Sequence, residues 1–286
     1  MKKSVQFATL ILAAGILLSG ARISAQATQQ APPTLNPEKK QDKPAEVTPL
    51  TLDNAPPPVN AEEDAAMKAF RAAPITDMAK KDQLGEDFLQ KYPQSRYRPE
   101  VYSMLVRGYL SQGQIEKMES TGDKEIELNP NDAQTLAIVG STLPRVMNGS
   151  TPDPQKRLDK AEQYSKKALE VLPTLVKPAE LSDAEFLKAK DQTAALAYSG
   201  LGLVAFRRSK FAEAIPNFEQ AAKLDTVADP VNYYLLGISN EKTSHFEDAV
   251  NAFTKCAAVP GGLQATCKTG ADEAKKMATT QLSAPK

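Results

Sequence analysis

The sequence has no tryptophan, a single histidine and only two cysteines among its 286 residues. A zinc site needs three or four clustered ligands, and a histidine-activated nucleophile needs a buried, oriented base. One histidine and two cysteines do not supply either arrangement. No glycine-rich stretch follows a predicted strand, which excludes the common phosphate-binding motifs. Basic and acidic residues number 35 each, so the chain has no net positive charge that would attract it to nucleic acid. We therefore predict a non-enzymatic protein with no catalytic residue, cofactor, metal or nucleic-acid partner.

Residues 1–27 have the three-part plan of a secretory signal peptide. Two lysines precede an apolar run from Val5 to Leu18, and small residues end the segment at Ala27. The apolar run is shorter than the roughly 20 residues needed to cross a bilayer, which favours cleavage after Ala27 over an uncleaved anchor. Residue 21, where a lipoprotein signal would have cysteine, is Ala21. We expect a periplasmic or secreted protein with no integral membrane segment after cleavage.

Residues 28–60 are rich in proline and polar side chains and contain no aromatic residue. Such a segment buries too little apolar surface to offset the entropy of ordering it. We predict a disordered, proline-rich linker, which is favoured over a ligand for a proline-binding module at residues 55–58.

After Asn60 the apolar residues follow a helical period in segments of about 12 to 17 residues, which predicts an all-α fold. Six positions of residues 192–226 recur 35 residues later in 230–261. The first set is Tyr198, Leu201, Gly202, Ala214, Phe218 and Ala221; the second is Tyr233, Leu236, Gly237, Ala249, Phe253 and Cys256. Small residues let the two helices of a hairpin approach closely, while aromatic residues fill the remaining space.

These positions resemble the tetratricopeptide repeat (TPR) family, and further units match in part. Residues 99–130 contribute Tyr102 and Leu105, residues 133–173 contribute Gly140 and Ala161, and residues 61–93 form a degenerate first unit. The resemblance implies a right-handed solenoid of helical hairpins over residues 61–280. A capping helix over 263–280 would close it, and 281–286 would be a tail.

Three features interrupt the register. Residues 147–155 are an insertion between the two halves of the third unit, and Pro216 would start its helix late or kink it. Residues 174–182 separate the third unit from a long predicted helix, Asp183 to about Arg208. One continuous domain is favoured here, with two sub-arrays meeting at this joint as the alternative.

Cys256 and Cys267 are placed symmetrically about the turn at 260–262. If residues 263–279 fold back as an antiparallel helix, the two cysteines stand level across a hairpin at the close edge of disulfide range. A disulfide is favoured over two free thiols in an exported protein, although Cys256 also fits as a small core residue. His245 falls in a turn between two predicted helices, where we expect it to be solvated.

The resemblance also implies a concave surface lined by the first helix of each hairpin. Positions projected to this surface are Ser103, Arg107, Ala137, Ser141, Arg145, Ser199, Leu203, Arg207, Tyr234, Ile238 and Lys242. Arg107, Arg145, Arg207 and Lys242 would add a mild positive lining that suits an acidic peptide or a terminal carboxylate, or they are simply solubilising charges.

We therefore expect an exported, non-enzymatic TPR scaffold that binds a protein or peptide of the bacterial cell envelope. One alternative is a structural or assembly accessory that acts through its proline-rich tether and self-association. Another is an enzyme with an undetected carboxylate site.

Overall fold

The computed structural model describes residues 60–74 and 76–282. The predicted signal peptide, the linker up to residue 59 and the end of the tail lie outside these residues. Within them the chain forms eleven α-helices and a short 3-10 helix, with no strand. The helices are α1 (Ala61–Ala72), α2 (Met78–Lys91), α3 (Arg98–Ser111), α4 (Ile115–Leu128), α5 (Ala133–Val146), α6 (Pro154–Val171), α7 (Asp183–Arg207), α8 (Phe211–Leu224), α9 (Pro230–Lys242), α10 (Phe246–Ala258) and α11 (Gln264–Leu282), and the 3-10 helix is Leu172–Thr174.

Short polar side chains set several of the helix starts. Asn60 accepts hydrogen bonds from the backbone amides of Glu62 and Glu63 at the start of α1. Ser182 and Glu185 form a reciprocal capping box at the start of α7. These caps satisfy amide groups that have no partner within the helix.

The recurring small and aromatic residues meet across the hairpins. A Cβ added at Gly202 would lie 2.7 Å from the ring of Phe218, and one added at Gly237 would lie 2.6 Å from the ring of Phe253. Both rings are fully buried. Only glycine therefore allows α7 to approach α8, and α9 to approach α10, at these points.

The other repeat positions divide between the core and its edge. The alanines and the leucines Leu105 and Leu236 are buried, whereas the tyrosines and Leu201 are half-buried. Gly140 lies against Ser165 of α6, which is also packed against Gly200 of α7. Three helices thus meet closely at one serine. The structure is an all-α helical-repeat solenoid, which confirms the predicted fold class.

Consecutive hairpins pack so that their first helices form one layer. α5 contacts α3 on one side and α7 on the other, and α7 also contacts α9. The second helices α4 and α6 are bridged by charged side chains: Arg157 and Lys160 lie 2.7 and 2.9 Å from the carboxylate of Glu119. The first helices therefore form a continuous layer, called here the inner face because a helical-repeat array is expected to be concave on this side.

The interruptions of the register are accommodated within this packing. α7 packs against both α5 and α6, so the hairpins on either side of 174–182 contact each other. Residues 147–153 connect α5 to α6, as the predicted insertion requires. Of the two alternatives for Pro216, the late start does not occur: α8 begins at Phe211, five residues earlier, and includes the proline in its interior. Pro144 lies inside α5 in the same way.

The last hairpin brings the two cysteines together. α11 packs on α10, and the Cα atoms of Cys256 and Cys267 lie 5.8 Å apart with their sulfur atoms at bonding distance. Both residues are fully buried. This placement is the one that the predicted disulfide requires. None of the helices in the described part of the chain is long and apolar enough to cross a membrane.

Candidate partner-binding face

The inner face is defined here by the cations that the first helices place on it: Arg107 of α3, Arg145 of α5, Arg207 of α7 and Lys242 of α9. All four were predicted from the repeat register. Their surroundings differ, and this difference decides which of them can meet a ligand.

Arg145 is bound within the protein. Its Nη2 donates to the carboxylate of Asp229 at 2.6 Å and to the hydroxyl of Ser199 at 3.2 Å. Ser199 in turn donates to the side-chain oxygen of Asn232 at 2.7 Å. Ser199 and Asn232 are buried, so this polar network joins α5, α7 and the start of α9 beneath the surface. A charge already paired in this way has little attraction left for a ligand.

Arg207 forms hydrogen bonds with the C-terminal end of α5. Its Nε and Nη2 donate to the backbone carbonyls of Pro144 at 3.1 Å and Met147 at 2.9 Å. These carbonyls lie at the C-terminal end of the helix, where the macrodipole is negative and partners are missing. Burial lowers the pKa of the Arg207 guanidinium below its ordinary value. The side chain therefore acts first as a cap between two hairpins.

Arg107 and Lys242 are the cations of the inner face for which the structure shows neither a carboxylate nor a backbone-carbonyl contact within the described residues. The Nη1 of Arg107 donates to the amide oxygen of Gln134 at 2.8 Å. Burial lowers the pKa of Arg107, and the more distant carboxylates of Asp132 and Glu100 act against that shift. Lys242 is exposed in the last turn of α9. Arg107 is thus a half-buried cation whose partner is a neutral amide.

Several positions projected onto the concave surface lie wholly or partly in the packing, and the expectation that Leu203 is open to a partner was wrong. Leu203 is only 3% exposed and lies in a core cluster with Phe218 and Leu236. Tyr234 and Ile238 are half-buried against the cluster of Phe253 and Ala274, which includes the cap helix α11. Further positions are buried as well: Ala137, Ser141 and Ser199. The following hairpin or cap covers these side chains.

Two residues that shape the face were not predicted from the sequence. Asp229 both caps α9, by accepting from the amide of Val231 at 2.9 Å, and binds Arg145. Its position directly before Pro230 is a signal for a helix cap, but not for the ion pair. Gln134, the partner of Arg107, carried no signal at all, because glutamine is common on exposed helix surfaces.

Within the described residues, no three His, Cys, Asp or Glu side chains are grouped so that they could hold a metal ion. His245 is exposed in the turn before α10, where its Nδ1 lies 2.9 Å from the hydroxyl of Thr243. The face and the fold together define a helical-repeat protein whose inner surface carries hydrogen-bonding and cationic side chains.

Comparisons with solved structures find helical-repeat proteins of low sequence similarity. A TPR protein of Thermus thermophilus is 17% identical, with a TM-score of 0.46, over 74% of this chain and 98% of its own. MamA from Desulfovibrio magneticus is 15% identical, with a TM-score of 0.47, over 69% of this chain and 94% of its own. PilW, described as a type IV pilus biogenesis factor, is 15% identical, with a TM-score of 0.48, over 78% and 93%.

No protein-family model matches the chain, and neither does any curated protein. The TPR-like character rests on the hairpins themselves, in which Gly202 and Gly237 each lie against a buried aromatic ring.

Proposed function

We propose that this chain is an exported, non-catalytic scaffold whose inner face binds a protein or peptide of the bacterial cell envelope. The observation that carries the proposal is the layer of first helices, which exposes Arg107 and Lys242 beside polar side chains such as Gln134. A surface of this shape suits an extended or helical segment of a partner.

The proposed contact centres on Arg107. A carboxylate of the partner can replace the neutral amide of Gln134, because a charge-assisted bond to guanidinium is stronger than a bond to an amide. Arg145 and Arg207 are not proposed as contacts, since both already serve the fold.

Cross-linking in whole cells followed by mass spectrometry tests the proposal. Arg107→Glu is expected to reduce recovery of the wild-type partner at least about tenfold, because it places a carboxylate where the partner's acid would lie. Lys124→Glu is the matched control: Lys124 is exposed on α4 in the outer layer, and the variant carries the same change of charge. No reproducible partner for the wild-type protein would contradict the scaffold function. Equal recovery by both variants would remove Arg107 from the contact.

Export forms a separate part of the proposal, and it rests on residues 1–27. N-terminal sequencing of the protein recovered from the periplasm or the medium is expected to begin at Thr28. Recovery of the intact chain from the cytoplasm alone would contradict export while leaving partner binding untouched.

A further inference from the structure

α7 is 25 residues long, whereas the other α-helices of the described residues have between 12 and 19. Its first ten residues, Asp183 to Gln192, form what is called here the arm. Thr193 is the first buried residue of the helix, and Ala194 packs against the cluster of Val171 and Leu172. The arm therefore extends about 15 Å beyond the point where the repeat packing of α7 begins.

One face of the arm continues the packed face of the helix. Asp183, Leu187 and Lys190 follow one another at helical spacing, and the same face leads on to Ala194 and Ala197 inside the array. Leu187 is nevertheless 59% exposed. Phe186 beside it is half-buried, with Lys190 Nζ 5.5 Å from its ring centroid. Leu187 and the partly exposed ring of Phe186 thus form a small apolar patch that the described residues leave uncovered.

The order of the charged residues along the arm indicates what kind of partner it can bind. Acidic residues precede Phe186 and Leu187, and lysines follow them: Asp183 and Glu185 on one side, Lys188 and Lys190 on the other. In an antiparallel pair of arms with a twofold axis between residues 186 and 187, Asp183 of each copy is level with Lys190 of the other. The pattern is therefore self-complementary, as a twofold interface requires.

We propose that the arm binds the arm of a second copy of this chain in an antiparallel pair. The apolar centre is Phe186 and Leu187, and the two Asp183–Lys190 contacts flank it. The overlap covers residues 183–190 and so ends before Thr193, where the array begins. Asp183 is 92% exposed in its ion pair with Lys177, which leaves room for a second cation. This contact is separate from the partner-binding face, so either can fail alone.

The pair should be weak and reversible. Its overlap of about 12 Å of helix is small beside the roughly 800 Å² per partner of a stable interface. Sedimentation velocity of the full chain from about 1 to 500 µM is expected to show a monomer–dimer equilibrium.

Charge exchange tests the geometry. Asp183→Lys places lysine opposite lysine, and Lys190→Glu places acid opposite acid, so each variant alone is expected to dimerise at least about tenfold more weakly than the wild type. An equimolar mixture of the two restores both opposite-charge contacts and should sediment as a dimer. The double variant Asp183→Lys/Lys190→Glu should also recover dimerisation.

Two controls test for loss of folding and for non-specific association through exposed apolar residues. Leu187→Asp should abolish the dimer, whereas Val227→Asp, at a 71% exposed apolar residue outside the arm, should leave it intact. Helix content by circular dichroism checks that each variant is folded. A wild-type protein that stays monomeric over the whole range overturns the proposal. So does a mixture of the two charge variants that sediments no differently from its components.

Discussion

Replacing Glu125 by glutamine is expected to remove most of the pH dependence of the free energy of unfolding between pH 5 and 8. Glu125 occupies the register position held by Ala221 in α8 and Cys256 in α10. It is only 1% exposed, and its Oε2 has no hydrogen-bond partner. Burial, followed by the nearby charge of Asp132, raises the pKa of Glu125 from 4.5 to about 8.

The magnitude follows from linkage. The folded protein keeps this proton while the unfolded chain releases it. The contribution of Glu125 to the free energy of unfolding is therefore complete below pH 4.5 and is lost as the pH rises toward 8. The loss is about 1.4 kcal/mol per pH unit within that window, or about 3 kcal/mol between pH 5 and 8 because the slope flattens at both ends. Glutamine has a similar shape and does not titrate, so the variant should not show this loss.

Denaturant unfolding followed by circular dichroism at pH 5 and pH 8 measures the difference. Glu127→Gln serves as the control, because Glu127 is an exposed glutamate of the same helix. Asp132→Ser, which keeps a helix-capping side chain but removes the charge, should reduce the pH-dependent loss in part. If wild-type and Glu125→Gln proteins lose stability in parallel from pH 5 to 8, the assigned burial and protonation of Glu125 are wrong.

Three further changes test the packing. Cys267→Ser should destabilise the folded protein by about 3 kcal/mol, because the disulfide would close a short loop. Reductant should lower the thermal midpoint of the wild type but not that of the variant; the same response in both proteins would argue against the bond. Gly202→Val should cost about 1–3 kcal/mol by forcing Phe218 aside, whereas unaltered stability would contradict the close helix approach. Arg145→Met should cost about 1–2 kcal/mol because it leaves the carboxylate of Asp229 without its partner; a variant with wild-type stability in denaturant would show that the network contributes nothing.

The repeat register of the last two units could be predicted well from the sequence. Glycine, alanine and aromatic side chains at a 35-residue interval determine how the two helices of one hairpin meet, and that contact is local in the chain. The long helix after 174–182 was also predictable, because its capping box and its apolar period are local signals.

The surface of the inner face was less predictable, since the packing of one hairpin on the next decides it. Leu203, Tyr234 and Ile238 have the spacing of outward positions, yet the following helices cover them. The spacing of Arg145 likewise gave no reason to separate it from the other three cations. Its ion pair with Asp229 could not be predicted, because the two residues are 84 positions apart in the chain.

The helices, their hairpins and the residues that let each hairpin close follow from local sequence patterns, because those contacts depend on spacing within about 35 residues. Which charges remain open to a partner, and which acid is buried, depends instead on how one hairpin packs on the next. Arg107 and Glu125 are both charged residues of the second hairpin, on α3 and α4. The inner surface leaves the first half-exposed, whereas the packing of the hairpins buries the second, and burial sets the cost of a charge.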